Sequence, residues 1–206
     1  LFEIGPIFKS NFQNKQCDII TLTRAGLRSQ RSWNSAQNNF SVYDIKSDAI
    51  SLLSLLGIQT DTLAVFKEDR EWFHPRRSAF IKNVKGNKIV SFGEIHPKIL
   101  RDMDLNVPFF VAEVYIENIP VLKTLASRKP FIASDLPLVI RDFSFIVDSN
   151  IPAQDLILPI KKSNIKSIKE VMVFDTFQDD NSNKNKKSIA ISVTLEPSEK
   201  TFTDIE

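Results

Sequence analysis

Three sets of residues in this 206-residue chain could do chemistry. The first is the pair Glu94 and His96, a possible acid–base couple or the start of a metal site. A zinc centre needs three or four ligands, and the chain holds two histidines and a single cysteine, Cys17. Glu94-Ile95-His96-Pro97 therefore reads as a strand end running into a helix. The second is His74-Pro75-Arg76-Arg77, two arginines beside a histidine, which suit a phosphate or a nucleotide. No glycine-rich phosphate loop accompanies them, and Arg76 and Arg77 read as structural or interfacial. No Ser-His-Asp or Cys-His arrangement can be assembled. The third set is a surface rather than a cluster. Along 187–195, Ser188, Ala190, Ser192 and Thr194 fall on one face of a strand, and Ile189, Ile191, Val193 and Leu195 on the other. Along 140–148, Phe143, Phe145 and Val147 likewise oppose Asp142, Ser144 and Ile146. One face of such a sheet is core, and the other is a low, mildly polar platform. With an aromatic edge beside it, a platform suits an unstacked nucleic-acid base, which lies on a ring and is read at its rim. On pattern alone an ordinary solvated sheet face fits as well.

Elements must position these residues. Residues 1–8 read as a buried strand ending at Gly5-Pro6, 18–23 as a half-buried strand, and 34–39 as a polar loop. Residues 48–56 form the clearest helix, with Ala49, Leu52, Leu53 and Leu56 on one face and Gly57 as its stop. Residues 80–84 and 88–92 flank Lys85-Gly86-Asn87 as a β-hairpin. Pro97 starts a short helix to Met103, and 109–116 is an apolar strand. Ser127, Pro130, Ser134 and Pro137 mark a linker. Beyond it come a strand at 140–148, a helix with Pro152 at its first position, and strands at 170–177 and 187–195. Pro159 falls inside that helix, where proline costs ~3 kcal/mol or more, so the helix should kink or end early. Thr203-Asp204-Ile205-Glu206 has the form of a capping box, so the chain is expected to stop one turn into a further helix. With no initiating methionine, both ends read as cut.

Composition sets limits. Hydrophobic residues are 42% and charged residues 25%, as in a globular chain with a core, and sixteen Phe against two Tyr favour packing over hydroxyl chemistry. The net charge of +2 gives no strong global field for nucleic acid, so binding must come from local patches. Lys184, Lys186 and Lys187 could touch backbone phosphates, although Asp179 and Asp180 cancel part of their charge and a solvated loop fits Lys184 and Lys186. No run approaches the roughly 18–20 apolar residues of a membrane span, no secretory leader opens the chain, and one cysteine fits a reducing cytoplasm. The fold class is α+β with antiparallel sheet.

The order of short motifs adds a resemblance. Leu1-Phe2-Glu3-Ile4-Gly5-Pro6, Asp44-Ile45-Lys46, His74-Pro75 and Gly93-Glu94-Ile95-His96-Pro97 resemble the catalytic-like domain of the bacterial phenylalanyl-tRNA synthetase β subunit. Arg141-Asp142-Phe143, Phe174-Asp175-Thr176-Phe177 and Lys187-Ser188-Ile189-Ala190 resemble three strands of that subunit's anticodon-binding domain. The resemblance implies a partial class II synthetase-like antiparallel domain over 1–126, a linker over 127–137, and a ferredoxin-like βαββα(β) domain over 138–206, truncated at its end. It implies an α2β2 heterotetramer with the α subunit, which attaches phenylalanine to its tRNA with ATP and Mg2+. This fragment alone would be catalytically inert and would bind no cofactor. Phe177 would stack on the first anticodon base, a guanine, where the family has Tyr. Asp175 would accept hydrogen bonds from that guanine, with Ser188 and Ser144 beside it on the platform. Strict alternation puts Asp175 and Phe177 on the side of Val171 and Val173, so a bulge or strand end must turn them outward. Arg76 stands where the family has glycine, which bears on the turn there. A free-standing RNA-binding or assembly module is the alternative. An active class II-like core over 1–125 is the third reading, and the missing ATP-binding signature opposes it.

Overall fold

The structure, a computed structural model, describes residues 1–8, 16–34, 36–60, 63–83, 85–120, 136–163, 165–178, 185–197 and 201–202. The linker at 127–137, the capping box at 203–206 and Lys184 lie wholly or largely outside them. The chain divides into two compact units, Leu1–Ser127 and Arg128–Glu206.

The first unit is a six-stranded antiparallel sheet. Its strands are β1 (Phe2–Phe8), β2 (Gln16–Ala25), β3 (Val65–Lys67), β4 (Phe73–Lys82), β5 (Lys88–Ile95) and β6 (Phe109–Tyr115). They lie in the order β1-β2-β6-β5-β4-β3. Helix α1 (Val42–Leu55) packs over β2, β5 and β6. Its buried stripe of Ile45, Ala49 and Leu53, spaced at four residues, meets Val90, Phe92, Phe110, Ala112 and Val114. The helix begins earlier than the apolar pattern indicates. The Ser41 backbone N–H and hydroxyl both donate to Asp44 Oδ2, at 2.8 and 2.7 Å, fixing the first turn. Gly57 ends it with φ 80°. The hairpin between β4 and β5 turns at Gly86, φ 85°, and α2 (Pro97–Asp102) follows β5.

One element departs from expectation. β1 runs through Gly5-Pro6 and is exposed rather than buried. It is an edge strand paired only with β2, α1 lies over other strands, and Ile7 alone packs inward, against Cys17, Ile19 and Tyr115.

The second unit contains β7 (Val139–Asp148), α3 (Ala153–Lys162), β8 (Ile168–Phe177) and β9 (Lys186–Leu195). The sheet order is β7-β9-β8, all antiparallel, the split arrangement expected of a ferredoxin-like unit. Ala153, Leu156, Ile157 and Ile160 of α3 cover Val171, Ile189, Ile191 and Val193. Pro152 is the N-cap, with φ −71° and ψ 146°, rather than the first helical residue. The helix does not end at Pro159 but continues to Lys162. Phe143 and Phe145 were expected in the core. They lie on the helix side, opposite Ile191 and Ile189 in register, yet remain 48% and 38% exposed. The core under α3 is drawn from β8 and β9, and of β7 only Val147 joins it among the described residues, so the two rings stack on each other at 6.4 Å.

Candidate nucleic-acid interface

The sheet register builds the platform. On β9, alternation gives Ile189, Ile191 and Val193 to α3 and turns Ser188, Ala190 and Ser192 away from it. β7 runs antiparallel beside β9 and sets Ile146, Ser144 and Asp142 opposite these three. β8 meets the other side. Val171 and Val173 pair with Val193 and Ile191 and face the core. The register then shifts between Val173 and Asp175, so that Asp175 pairs with Ala190 and Phe177 with Ser188. The residue passed over is Phe174. A bulge at this point places one extra residue in β8, and every later side chain changes face. The outward turn that Asp175 and Phe177 require is thus supplied by the strand itself.

The result is a set of cross-strand rows on one face: Phe177, Ser188 and Ile146; then Asp175, Ala190 and Ser144; then Met172, Ser192 and Asp142. Phe177 is 63% exposed, a bare ring at the platform's side. The Ser144 and Ser188 hydroxyls lie 2.9 Å apart, each able to donate to the other. The Thr176 backbone N–H donates to Asp175 Oδ1 at 2.8 Å. That bond orients the carboxylate, and an ionised carboxylate has lone pairs left for further donors. All four residues named for the site, Phe177, Asp175, Ser188 and Ser144, therefore share one surface. The lysines separate. Lys186 keeps the parity of Ser188 and lies at the Phe177 end of the platform. Lys187 keeps the parity of Ile189, and its ammonium donates to the Ser149 carbonyl at 2.9 Å, away from the platform. Met172, Ile146 and Asp142 complete the surface. Alternation alone gave Met172 and Ile146 no reason to be singled out.

The first unit treats its polar residues differently. On the face away from α1, Glu68 is buried and accepts from Lys88 Nζ at 2.7 Å and from the Ser91 hydroxyl. Burial alone would raise the Glu68 pKa, but those two hydrogen bonds and the charges of Lys88 and Arg70 hold it below the ordinary glutamate value. Arg70 pairs with Glu113 and with the Tyr115 hydroxyl, which itself donates to Glu113 at 2.6 Å, and it lies 4.9 Å from the Trp72 ring centre. Burial first, then the Glu113 carboxylate, push the Tyr115 phenol well above its ordinary value. Nothing in the sequence singled out Glu68 or Arg70, and only the fold shows Glu68 buried and Arg70 half-buried beside it. Glu94 accepts from Arg77 Nη1 at 2.7 Å. The His96 Nδ1 accepts from the Lys98 backbone N–H at 3.1 Å, capping α2. Arg76 needs no glycine geometry, since Asp104 is the one non-glycine residue with positive φ among those described. The glycine that does matter is Gly93, where a Cβ would come within 2.7 Å of Ser78 Cβ and 3.0 Å of the Arg77 carbonyl oxygen. It lets the irregular stretch of β4 approach β5.

Comparison with known proteins agrees with this division. Residues 1–116 match the family described as phenylalanyl tRNA synthetase beta chain CLM domain. The chain belongs to the phenylalanyl-tRNA synthetase β-chain family. Residues 134–206 match the ferredoxin-fold anticodon binding domain, which contains the whole platform. Similar curated proteins named phenylalanine–tRNA ligase beta subunit come from Paramagnetospirillum magneticum (36% identical), Zymomonas mobilis (33%) and Rickettsia prowazekii (34%). Each match covers 99–100% of this chain and 25–26% of the relative. The chain thus spans about a quarter of the length of these synthetase β subunits. No helix among the described residues is long and apolar enough to cross a membrane.

Proposed function

We propose that this chain is a portion of a phenylalanyl-tRNA synthetase β subunit in which the first unit is a non-catalytic scaffold and the second reads the tRNA anticodon. The intact enzyme, an α2β2 heterotetramer in the cytoplasm, would attach phenylalanine to its tRNA with ATP and Mg2+, with the chemistry in the α subunit. The first unit is read as a degenerate class II synthetase-like sheet. In support, its buried carboxylates Glu68 and Glu94 and the half-buried Glu113 already have cationic partners. The described residues include no cluster of three His, Cys, Asp or Glu fit for a metal. These residues do not fit a nucleotide–Mg2+ site, and no step through either group is assigned to this chain.

The observation that carries the reading is the β8 bulge, which brings Phe177 and Asp175 onto the face of Ser144 and Ser188. A guanine stacked on Phe177 would turn its N1 and N2 donors toward Asp175, a carboxylate able to accept both. Stacking on an aromatic side chain is worth about 1–3 kcal/mol per base, so phenylalanine keeps most of what a tyrosine would give. Lys186, at the same end, is the lysine suited to a flanking phosphate.

Binding of a GAA-anticodon stem-loop against a loop with the first base changed tests this reading. Selective binding that Phe177→Ala weakens supports an anticodon reader. Equal binding to both loops would favour the alternative, a general RNA-binding or assembly module.

A further inference from the structure

The first unit holds a pocket of about 510 Å3 beside the β4–β5 hairpin, within the roughly 300–1,000 Å3 typical of small-molecule sites. Ile58, Leu63, Ala64, Phe66 and Pro120 give it an apolar wall, backed by the buried Ile89. Polar capacity on that wall is sparse. Asn83 uses its side chain within the turn: Oδ1 accepts from the Lys85 and Asn87 backbone N–H groups at 2.9 and 3.0 Å, and Nδ2 donates to the Asn118 carbonyl at 3.0 Å. Lys82 is different. Its ammonium lies 4.9 Å from the centre of the Phe66 ring and 5.3 Å from that of Phe80, and it makes no hydrogen bond or ion pair among the described residues.

Lys88 shows what Lys82 lacks. It approaches the same aromatic pair, 4.3 Å from the Phe80 centre, and the Glu68 carboxylate meets its charge at 2.7 Å. Two ammonium groups thus sit on one stacked pair of rings, Phe66 and Phe80 at 5.5 Å, and only one of them has a carboxylate. A ring face attracts a cation without neutralising it. A second carboxylate is therefore favoured at Lys82, and the apolar wall beside it decides what that carboxylate carries.

We propose that this pocket binds a small apolar monocarboxylate, its carboxylate on the Lys82 ammonium and its hydrocarbon body against Ile58, Leu63 and Pro120. The body supplies affinity through the apolar surface it removes from water. The charge-assisted hydrogen bond to Lys82 fixes which end is which. A phosphate monoester suits the site less well, because Lys82 is the one cationic residue that lines it among those described. The site lies in the first unit and is independent of anticodon reading.

Titration calorimetry of the 206-residue chain with octanoate, and with 1-octanol as its uncharged counterpart, tests the proposal. An apolar pocket with no usable charge prefers the alcohol, since an unpaired carboxylate costs more to bury than a hydroxyl. Octanoate should instead bind about tenfold tighter than 1-octanol. Lys82→Met keeps an apolar stem and removes the charge, so it should reverse that preference, whereas Lys82→Arg should retain it. Ala64→Phe, which fills the pocket, should weaken both ligands. Octanoate that does not saturate, that binds Lys82→Met as tightly as the unsubstituted chain, or that is indifferent to a folded Ala64→Phe overturns the site. If the ligand-free melting curve shows Ala64→Phe to be unfolded, the two Lys82 variants decide alone, because Lys82 belongs to no ion pair among the described residues.

Discussion

The two sheets of this chain both turn polar side chains away from their helix, and they do opposite things with them. In the six-stranded sheet, Glu68, Lys88, Ser91, Arg70, Glu113 and Tyr115 bind one another. Glu68 is only 5% exposed. In the three-stranded sheet, Ser144 and Ser188 pair at 2.9 Å, while Asp142, Asp175 and Phe177 stand exposed. Charged groups held by partners in a poorly hydrated site have little left for a ligand. Exposed acceptors over a flat sheet keep their capacity. Pairing state, more than the number of charged residues, separates the proposed scaffold from the proposed reading surface.

That contrast can be broken at either sheet. The largest effect belongs to Glu68→Ala, which removes one side of a buried ion pair and should cost about 3–5 kcal/mol in denaturant unfolding of the first unit. A cost near that of a surface pair would show the network to be solvated and the contrast to be wrong. Gly93→Ala should follow with about 1–3 kcal/mol, because overpacking against Ser78 and the Arg77 backbone has no flexible side-chain end to absorb it. Neither change should alter stem-loop affinity. Phe177→Ala should do the reverse, leaving unfolding unchanged and lowering RNA affinity by about 1–3 kcal/mol. The smallest effect is a pH dependence. Glu68 titrates below its ordinary 4.5 in the folded chain, so the unfolded state takes up its proton first as pH falls. Its contribution is then complete above 4.5 and is lost as pH drops through the lower folded value. Glu68→Gln should flatten the acid limb of a stability–pH curve, and an unchanged limb would remove Glu68 as its source.

Much of the second unit was legible from its residues. Alternation along 187–195 assigns both faces of β9 correctly, because a strand buried on one side admits no slip of register. The same count showed that Asp175 and Phe177 needed a bulge or a strand end to turn outward, and the register shift after Val173 supplies the first of these. Phe143 and Phe145 misled, since an apolar residue on a core-side position is buried only if something covers it, and α3 covers the neighbouring strands. β1 misled for the same reason: apolar content says nothing about being an edge. The start of α1 was hidden because Ser41 and Asp44 fix its first turn through side-chain bonds that apolar periodicity does not register. The Glu68–Arg70 network was invisible because its partners, Lys88, Ser91, Glu113 and Tyr115, come from distant strands.

The bulge at Phe174 makes the identity of the reading surface a matter of odd and even. Were Phe174 paired in register with Ala190 instead of passed over, strict alternation would continue beyond Val173, sending the side chains of Asp175 and Phe177 toward the helix and bringing Phe174 and Thr176 outward in their stead. None of the residues proposed to touch RNA would have been altered, yet the surface would present a different alphabet. Loss of the bulge with Phe174 retained is therefore more consequential here than most substitutions, and relatives of this chain should be aligned by counting from the bulge rather than by the similarity of the side chains around it.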